Sequence, residues 1–330
     1  VFGKYVPNTE EVVKSVHIDS YESFEFYFGY NNLEEELVFW YLGSVSKSTL
    51  IFYDYLVKNN SRLVCFDDGR LPFGFLGFNF LISSIFERYI HLAFKYKRVM
   101  SNRVIPWFDL VFYSGEKSRY FVKSNISAKF YRPLNNTDYH NFLNIKCNEI
   151  NKDQHILFLD QNIPDHPDIL NLNVNFSKNK YYQELNRFFD FVENKTNRKI
   201  VVALHPTSEF KNHNFNNRKV VKDIVSYVND SYSFITFYST ALNYAILSYK
   251  PLLFLTSTEV ARASKTGTKQ AFYTSKCIDQ KVVSISDNYH NEVFFKDVNR
   301  EKYDIYKRDY VVSSEGKSNS ELILNGLHEL

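Results

Sequence analysis

Three short groups in this 330-residue chain carry side chains that could do chemistry. Asp67-Asp68-Gly69 sets two carboxylates side by side ahead of a glycine. His205-Pro206, followed by Thr207, sets an imidazole against a proline. Ser239-Thr240 pairs two hydroxyls. A carboxylate crowded by a like charge and partly buried gains basicity and can take a proton from an alcohol. An imidazole can donate a hydrogen bond or a proton to a departing phosphate. Two hydroxyls beside the free N–H groups of a helix start form an anion site. Each group also has a plain reading: an acidic turn, a solvated loop histidine and a helix cap. The shared context favours chemistry, because each group follows a candidate strand.

The elements that would hold these groups can be read from apolar runs. Leu63–Phe66 reads as a short buried strand ahead of Asp67, and Asp109–Tyr113 as another, closed by Ser114-Gly115. Phe24–Tyr30 also looks like a strand. Leu33–Leu42 reads as a helix, with Glu34, Glu35 and Glu36 in its first turn, where the helix dipole favours them. Thr49–Val57 is apolar and fits either state. In the second half Ile156–Leu159 is a strand followed by Asp160-Gln161, and Lys180–Glu193 is an amphipathic helix. Ile200–Leu204 is a β-branched strand that delivers His205, which the following proline holds extended. Val220–Val228 reads as a short helix and Phe234–Phe237 as the strand before Tyr238-Ser239-Thr240. Ala241–Leu247 is the next helix and Pro251–Leu255 the next strand. Strands alternating with helices imply parallel sheets with right-handed crossovers. The polar stretch 132–154 sets a boundary between domains 1–150 and 151–330.

Composition narrows the function classes. Hydrophobic residues make up 44% and charged residues 23%, an ordinary globular balance, and the net charge of +3 gives no support to nucleic-acid binding. The 31 Phe and 25 Tyr follow a general compositional bias. Tyr181, Tyr182 and Tyr238 could stack on a base, but a core role is preferred, and His213 reads as a loop residue. Cys65, Cys147 and Cys277 form no metal-ligand or disulfide pattern, as expected in a reducing compartment. The opening from Val1 does not read as a signal peptide, and the apolar run Leu71–Phe86 is short of the roughly 20 residues a spanning helix needs. A soluble or peripheral protein is therefore expected. Phe73–Tyr96, with Lys95, Lys97, Arg98 and Arg103 near its end, reads as a core helix or as a face that leans on an anionic bilayer.

The acidic-acidic-Gly triplet, the His-Pro pair and the Ser-Thr pair, in that order, resemble the motifs of bacterial GT-B sialyltransferases and polysialyltransferases. Ile156–Gln161 is similar to the strand that opens their donor-binding half. The resemblance covers islands within Arg62–Leu255. It implies an α/β, GT-B-like fold: two Rossmann-type domains whose parallel sheets face a central cleft, the acceptor on the N-terminal side and the donor on the C-terminal side. It also implies an inverting transfer of a CMP-activated nonulosonic acid, sialic acid foremost, to a glycan or glycolipid acceptor at the bacterial surface. Asp67 or Asp68 would be the base, with Asp67 favoured. His205 would contact the CMP phosphate, and Pro206, Thr207, Ser239 and Thr240 would line the donor site. No metal or other cofactor is expected, although Asp67-Asp68 could recruit Mg²⁺. A cytoplasmic location is expected, either free or peripheral on the cytoplasmic face of the inner membrane. The rivals are a Kdo, legionaminic or pseudaminic acid transferase using the same site, and a non-catalytic nucleotide- or glycan-binding module.

Overall fold

Every strand pairing among the described residues is parallel, and the strands form two sheets. The computed structural model describes residues 37–41, 55–72, 107–145, 155–166, 175–208, 214–290 and 294–330. The first sheet runs β1 (Leu37–Tyr41), β2 (Arg62–Asp67), β3 (Trp107–Ser114) and β4 (Ser127–Leu134), in chain order. Helix α1 (Glu116–Asn125) crosses from β3 to β4, and α2 (Thr137–Leu143) follows β4. The second sheet contains β5 (His155–Leu159), β6 (Lys199–Ala203), β7 (Lys219–Val221), β8 (Ser231–Thr236), β9 (Leu252–Thr256) and β10 (Lys281–Ser284). Its order is β10-β9-β8-β5-β6-β7. Helices α3 (Lys178–Thr196), α4 (Val225–Val228), α5 (Asn243–Leu247), α6 (Thr258–Ala263) and α7 (Lys265–Cys277) connect these strands. Two more helices, α8 (Arg300–Tyr306) and α9 (Asn319–Leu327), end the chain. The architecture is thus the α/β, GT-B-like one expected, with two parallel sheets.

Two expected elements are corrected. Residues 37–41 are not helical: LVFWY pairs with Arg62–Phe66 as strand β1. Its aromatic and β-branched side chains suit a sheet, and the ladder to β2 overrides the acidic signal ahead of it. Val220–Val228 is likewise not one helix, because residues 219–221 pair with β6 and only Val225–Val228 is helical. The strand-like Phe24–Tyr30 and the aromatic-basic stretch Phe73–Tyr96 through Arg103 lie outside the described residues, as do Cys147 and His213. Among the described residues no helix is long and apolar enough to cross a membrane.

The second sheet is buried on both faces, which is why its strands read as unbroken apolar runs. One face packs on α3 through Ile156, Phe158, Val202 and Ile235 against Leu185, Phe188 and Phe189. Phe158 meets Phe189, Phe215 and Phe237 edge to face, at ring centroids of 5.0, 6.2 and 6.3 Å. Phe237 is the residue before Tyr238, so this aromatic contact anchors the turn that carries Ser239. Tyr181 and Tyr182 are buried in the same core.

The chain crosses from the first sheet to the second between β4 and β5, and its C-terminal end crosses back. Leu322 of α9 packs on Val64, Leu110, Phe112 and Leu134 of the first sheet. Buried Asn135 fastens this return. Its Nδ2 donates to the carbonyls of Ser314 and Lys317, and its Oδ1 accepts from the N–H groups of Ser313 and Ser314. Gly115, at the end of β3, donates its N–H to Ser313 Oγ. It has φ +83, and a Cβ there would sit 2.3 Å from the Asp309 carbonyl, so only glycine allows the return segment this close.

Candidate active site

In the second sheet the winding reverses between β5 and β8. Open parallel sheets hold ligands at that reversal, just beyond the carboxyl ends of the strands. The residues at these ends are Asp160 and Gln161 after β5, His205 after β6, and Tyr238 and Ser239 after β8. His205 and Ser239 leave strands that flank β5 on either side, about 10 Å apart by sheet spacing.

Asp160 organises this edge, and the sequence did not single it out. Its buried carboxylate faces the backbone N–H groups of Asn162, His205 and Gln161, which favour its charged form. Ser208 Oγ donates to the same carboxylate at 3.4 Å. Burial pushes the carboxyl up to about 6, against the pull of those hydrogen bonds. The neighbouring Gln161 reaches the other way, its Oε1 accepting the Tyr238 N–H at 2.8 Å. Two adjacent residues after β5 thus position both the His205 turn and the Ser239 turn. Gly267 of α7 closes against Tyr238 as well, where a Cβ would lie 2.5 Å from the ring.

His205 is half-buried at the edge, while Pro206 and Thr207 are exposed. The Thr207 N–H donates to His205 Nδ1 at 3.3 Å, and Thr207 Oγ1 lies 2.8 Å from the same nitrogen. An Nδ1 that accepts leaves the neutral ring's proton on Nε2. Burial pulls the imidazole below its ordinary range, and the nearby His166 adds to this. Ser239 is buried and caps the short turn Thr240–Leu242, its Oγ accepting from the Ala241 N–H at 3.3 Å. The Thr240 side chain is exposed. Ser239 therefore shapes the turn, and Thr240 presents a hydroxyl outward.

The first sheet separates the two adjacent acids. Asp68 is engaged on both oxygens. Oδ1 accepts from Ser114 Oγ at 3.2 Å and Asn136 Nδ2 at 2.7 Å. Oδ2 accepts from the Thr137 N–H at 3.1 Å and Thr137 Oγ1 at 2.6 Å. Asp68 thus grips the start of α2. Asp67, the last residue of β2, pairs through Oδ2 with the Arg70 guanidinium. That guanidinium lies 3.6 Å over the Phe121 ring. Among the described residues no hydrogen bond reaches Asp67 Oδ1, so one oxygen of a buried carboxylate stays available to take a proton.

A chain of amides and acids joins the two sheets here. Asn243, three residues after Thr240, donates through Nδ2 to Asn136 Oδ1 at 3.3 Å and to Asp138 Oδ2 at 3.0 Å. Asn136 in turn holds Asp68. The structure therefore brings Asp68 and the Ser239-Thr240 segment to one junction; Asp67 stays with its Arg70 partner on the first-sheet side. Burial pushes Asp138 up to about 7, the Asp68 charge adds to the rise, and hydrogen bonds from Asn243 and Tyr244 oppose it. The folded chain holds this proton more tightly than an unfolded one, whose ordinary value is 3.8. Stability from this group is full below that value and is lost as pH rises through about 7. The melting temperature of the wild type should fall from about pH 5 to about pH 8 more than that of Asp138→Asn, which keeps an acceptor for Asn243. Parallel slopes in a thermal-shift series would refute this.

No protein-family model matches the chain, and no curated protein matches it. Solved structures do resemble it. The S. aureus MnaA–UDP co-structure shares 12% identity at a TM-score of 0.45, over 93% of this chain and 78% of that one. The wall teichoic acid polymerase TagF shares 11% at 0.45, over 82% and 70%. The spinosyn forosaminyltransferase SpnP shares 10% at 0.46, over 93% and 78%.

Other features of this edge lie away from the three groups. Glu259, at the start of α6, is buried; its carboxylate accepts the Ser177 N–H at 3.0 Å and pairs with Lys180 and Arg262. The Ser177 bond, foremost, holds it below the usual carboxylate range. This ties the loop after β9 to the start of α3. A polar groove of about 350 Å³ runs along α3 and is lined by Gln183, Asn186, Arg187 and Asn214. Asp67, Asp68, His205, Ser239 and Thr240 do not line it.

Proposed function

We propose that this chain is an inverting glycosyltransferase that passes a CMP-activated nonulosonic acid, sialic acid foremost, to a hydroxyl of a glycan or glycolipid acceptor. The observation that carries the reading is the junction itself. An imidazole and a hydroxyl turn stand at the reversal point of one parallel sheet, and that turn is bonded through Asn243 and Asn136 to the acidic pair ending a strand of the other.

In this reading the acceptor oxygen attacks the anomeric carbon while Asp67 takes its proton. The bond from that carbon to the phosphate oxygen breaks, and CMP leaves with the electron pair. Such sugars ionise readily, so the leaving dianion carries much of the developing charge. The Nε2–H of His205 donates to it, and the Thr240 hydroxyl and the N–H groups of its turn are the further donors. One base and one displacement invert the anomeric centre without a covalent intermediate. Phe73–Tyr96 would be the contact with the cytoplasmic face of a membrane.

The test is CMP release from CMP-Neu5Ac and CMP-Kdo, with a UDP-sugar as control and a sialylatable oligosaccharide as acceptor. Acceptor-dependent CMP release, lost in His205→Ala, supports the reading. Release from CMP-Kdo alone moves the donor to Kdo. Binding of CMP without turnover of any donor would make the chain a nucleotide-binding module.

A further inference from the structure

The outward face of α3 carries a long polar trough. Its first part is the groove of about 350 Å³, with Gln183 and Arg187 on the helix and Asn214 and Asn216 opposite. A second groove of about 370 Å³ continues toward the end of the helix past Asn194 and Asn197, and Asp190 lines both. From Asn179 to Asn197 the helix rises about 27 Å. The opposite wall is a built turn. The Arg218 N–H donates to the Phe215 carbonyl at 3.2 Å, and Asn216 and Asn217 between them have φ of 48 and 59, a region asparagine tolerates. Buried Phe215 anchors the turn edge to face on Tyr182 and Phe158. The Arg218 guanidinium donates to Asn186 Oδ1 at 3.1 Å and pairs with Asp190 and Glu193. Asn186 Nδ2 donates to the Asn214 carbonyl at 2.8 Å. Lysines of the same helix are drawn elsewhere: Lys178 to Asp165, Lys180 to Glu259, and Lys195 over the Phe294 ring. Carboxamides are left to line the trough. Among the described residues no hydrogen bond reaches the side chains of Asn179, Gln183, Asn194 or Asn216. Each such amide both donates and accepts, as a sugar hydroxyl does. The acids are paired with Arg218. The cations that remain, Arg187 in one groove and Arg198 and Lys199 in the other, are too few to meet a phosphate at every step of a nucleic-acid strand. The trough also lacks the apolar floor that a peptide helix needs.

We infer that this trough is a non-catalytic binding site for a sugar chain of low charge, whose hydroxyls bond the carboxamides over a run of several sugars. Each bond competes with water and is worth little alone, so affinity grows with the number of sugars engaged. The trough begins at the crevice edge: Asn179 follows Lys178, whose Nζ holds Asp165 just after β5 at 2.8 and 2.9 Å. A chain seated there runs toward the crevice. Its role as the acceptor rests on the transfer reading above; its binding does not, because no donor takes part.

The experiment is calorimetric titration of the full chain, without donor, with neutral malto-, cello- and lacto-series hexasaccharides and their disaccharides. Polysialic acid and poly(U) are the polyanionic rivals. At least one hexasaccharide should bind, about tenfold or more tighter than its disaccharide. The double variant Gln183→Ala, Asn194→Ala changes two exposed positions, so its melting temperature should match the wild type. It should bind that hexasaccharide about tenfold more weakly, the loss of two neutral hydrogen bonds. No hexasaccharide binding, tighter binding of polysialic acid or poly(U), or a loss in His205→Ala instead of the double variant overturns the inference and leaves the transfer reading standing. Hexasaccharide binding lost in the double variant, in a chain that turns over no CMP-sugar, removes the transfer reading and keeps this site.

Discussion

Replacing Asp67 by Asn should lower acceptor-dependent turnover about 10²- to 10⁴-fold, the usual worth of a positioned general base. Its melting temperature and CMP affinity should change little. Among the described residues the side-chain hydrogen-bond partner of Asp67 is Arg70, and that guanidinium, stacked over Phe121, should keep its place when the charge beside it is removed. Replacing Asp68 by Asn should give the opposite pattern. Four donors converge on its two oxygens: Ser114 Oγ, Asn136 Nδ2, and the N–H and hydroxyl of Thr137. An amide turns one acceptor into a donor against them, at about 1–3 kcal/mol for each group left unmatched. Asp68→Asn should therefore melt several degrees lower, and its activity loss should shrink when assayed cold. Steady-state kinetics and thermal melts of the two variants separate chemistry from scaffolding at neighbouring positions. A stable, inactive Asp68→Asn beside an active Asp67→Asn would exchange their roles.

The parts of the fold that were legible in the sequence are those whose signal is local. β5, β6, β8 and β9 are apolar because both faces of their sheet are covered, so the runs ending before Asp160, His205, Tyr238 and Ser257 could be read directly. His205 and Ser239 were found for the same reason: they follow those runs. What stayed hidden depends on distant neighbours. β1 exists because Leu37–Tyr41 pairs with a strand twenty-five residues later, whereas its flanking glutamates argue for a helix. β7 is three residues long, too short to show a period. Asn135 and Asn136 read as boundary loop, but their amides bind the C-terminal return and the acidic pair. The return of α9 to the first sheet rests on contacts across about two hundred residues, such as Phe112 with Leu322. His166 shows its place only once β5 and β6 are known to be neighbours.

Asp160 teaches the same lesson and carries the other large effect. Nothing in ILFLDQ marks its aspartate above any polar residue closing a strand. With β6 alongside, its carboxylate accepts from Ser208 and faces the backbone N–H groups of Gln161, Asn162 and His205. An amide in its place offers one carbonyl and points its NH₂ at groups that are themselves donors. At about 1–3 kcal/mol for each buried donor left unmatched, Asp160→Asn should lower the melting temperature by about 5–10 °C. Loss of the site should exceed the loss of the fold. The backbone of His205 is freed directly, and Tyr238 is loosened through the displaced Gln161, so both sides of the crevice move at once. CMP affinity should fall at least as far as in His205→Ala, even at a temperature where Asp160→Asn is fully folded by circular dichroism. A folded Asp160→Asn with wild-type CMP affinity would mean that the two turns hold their positions without it. Phe158, through its contact with Phe237, would then be the anchor that matters.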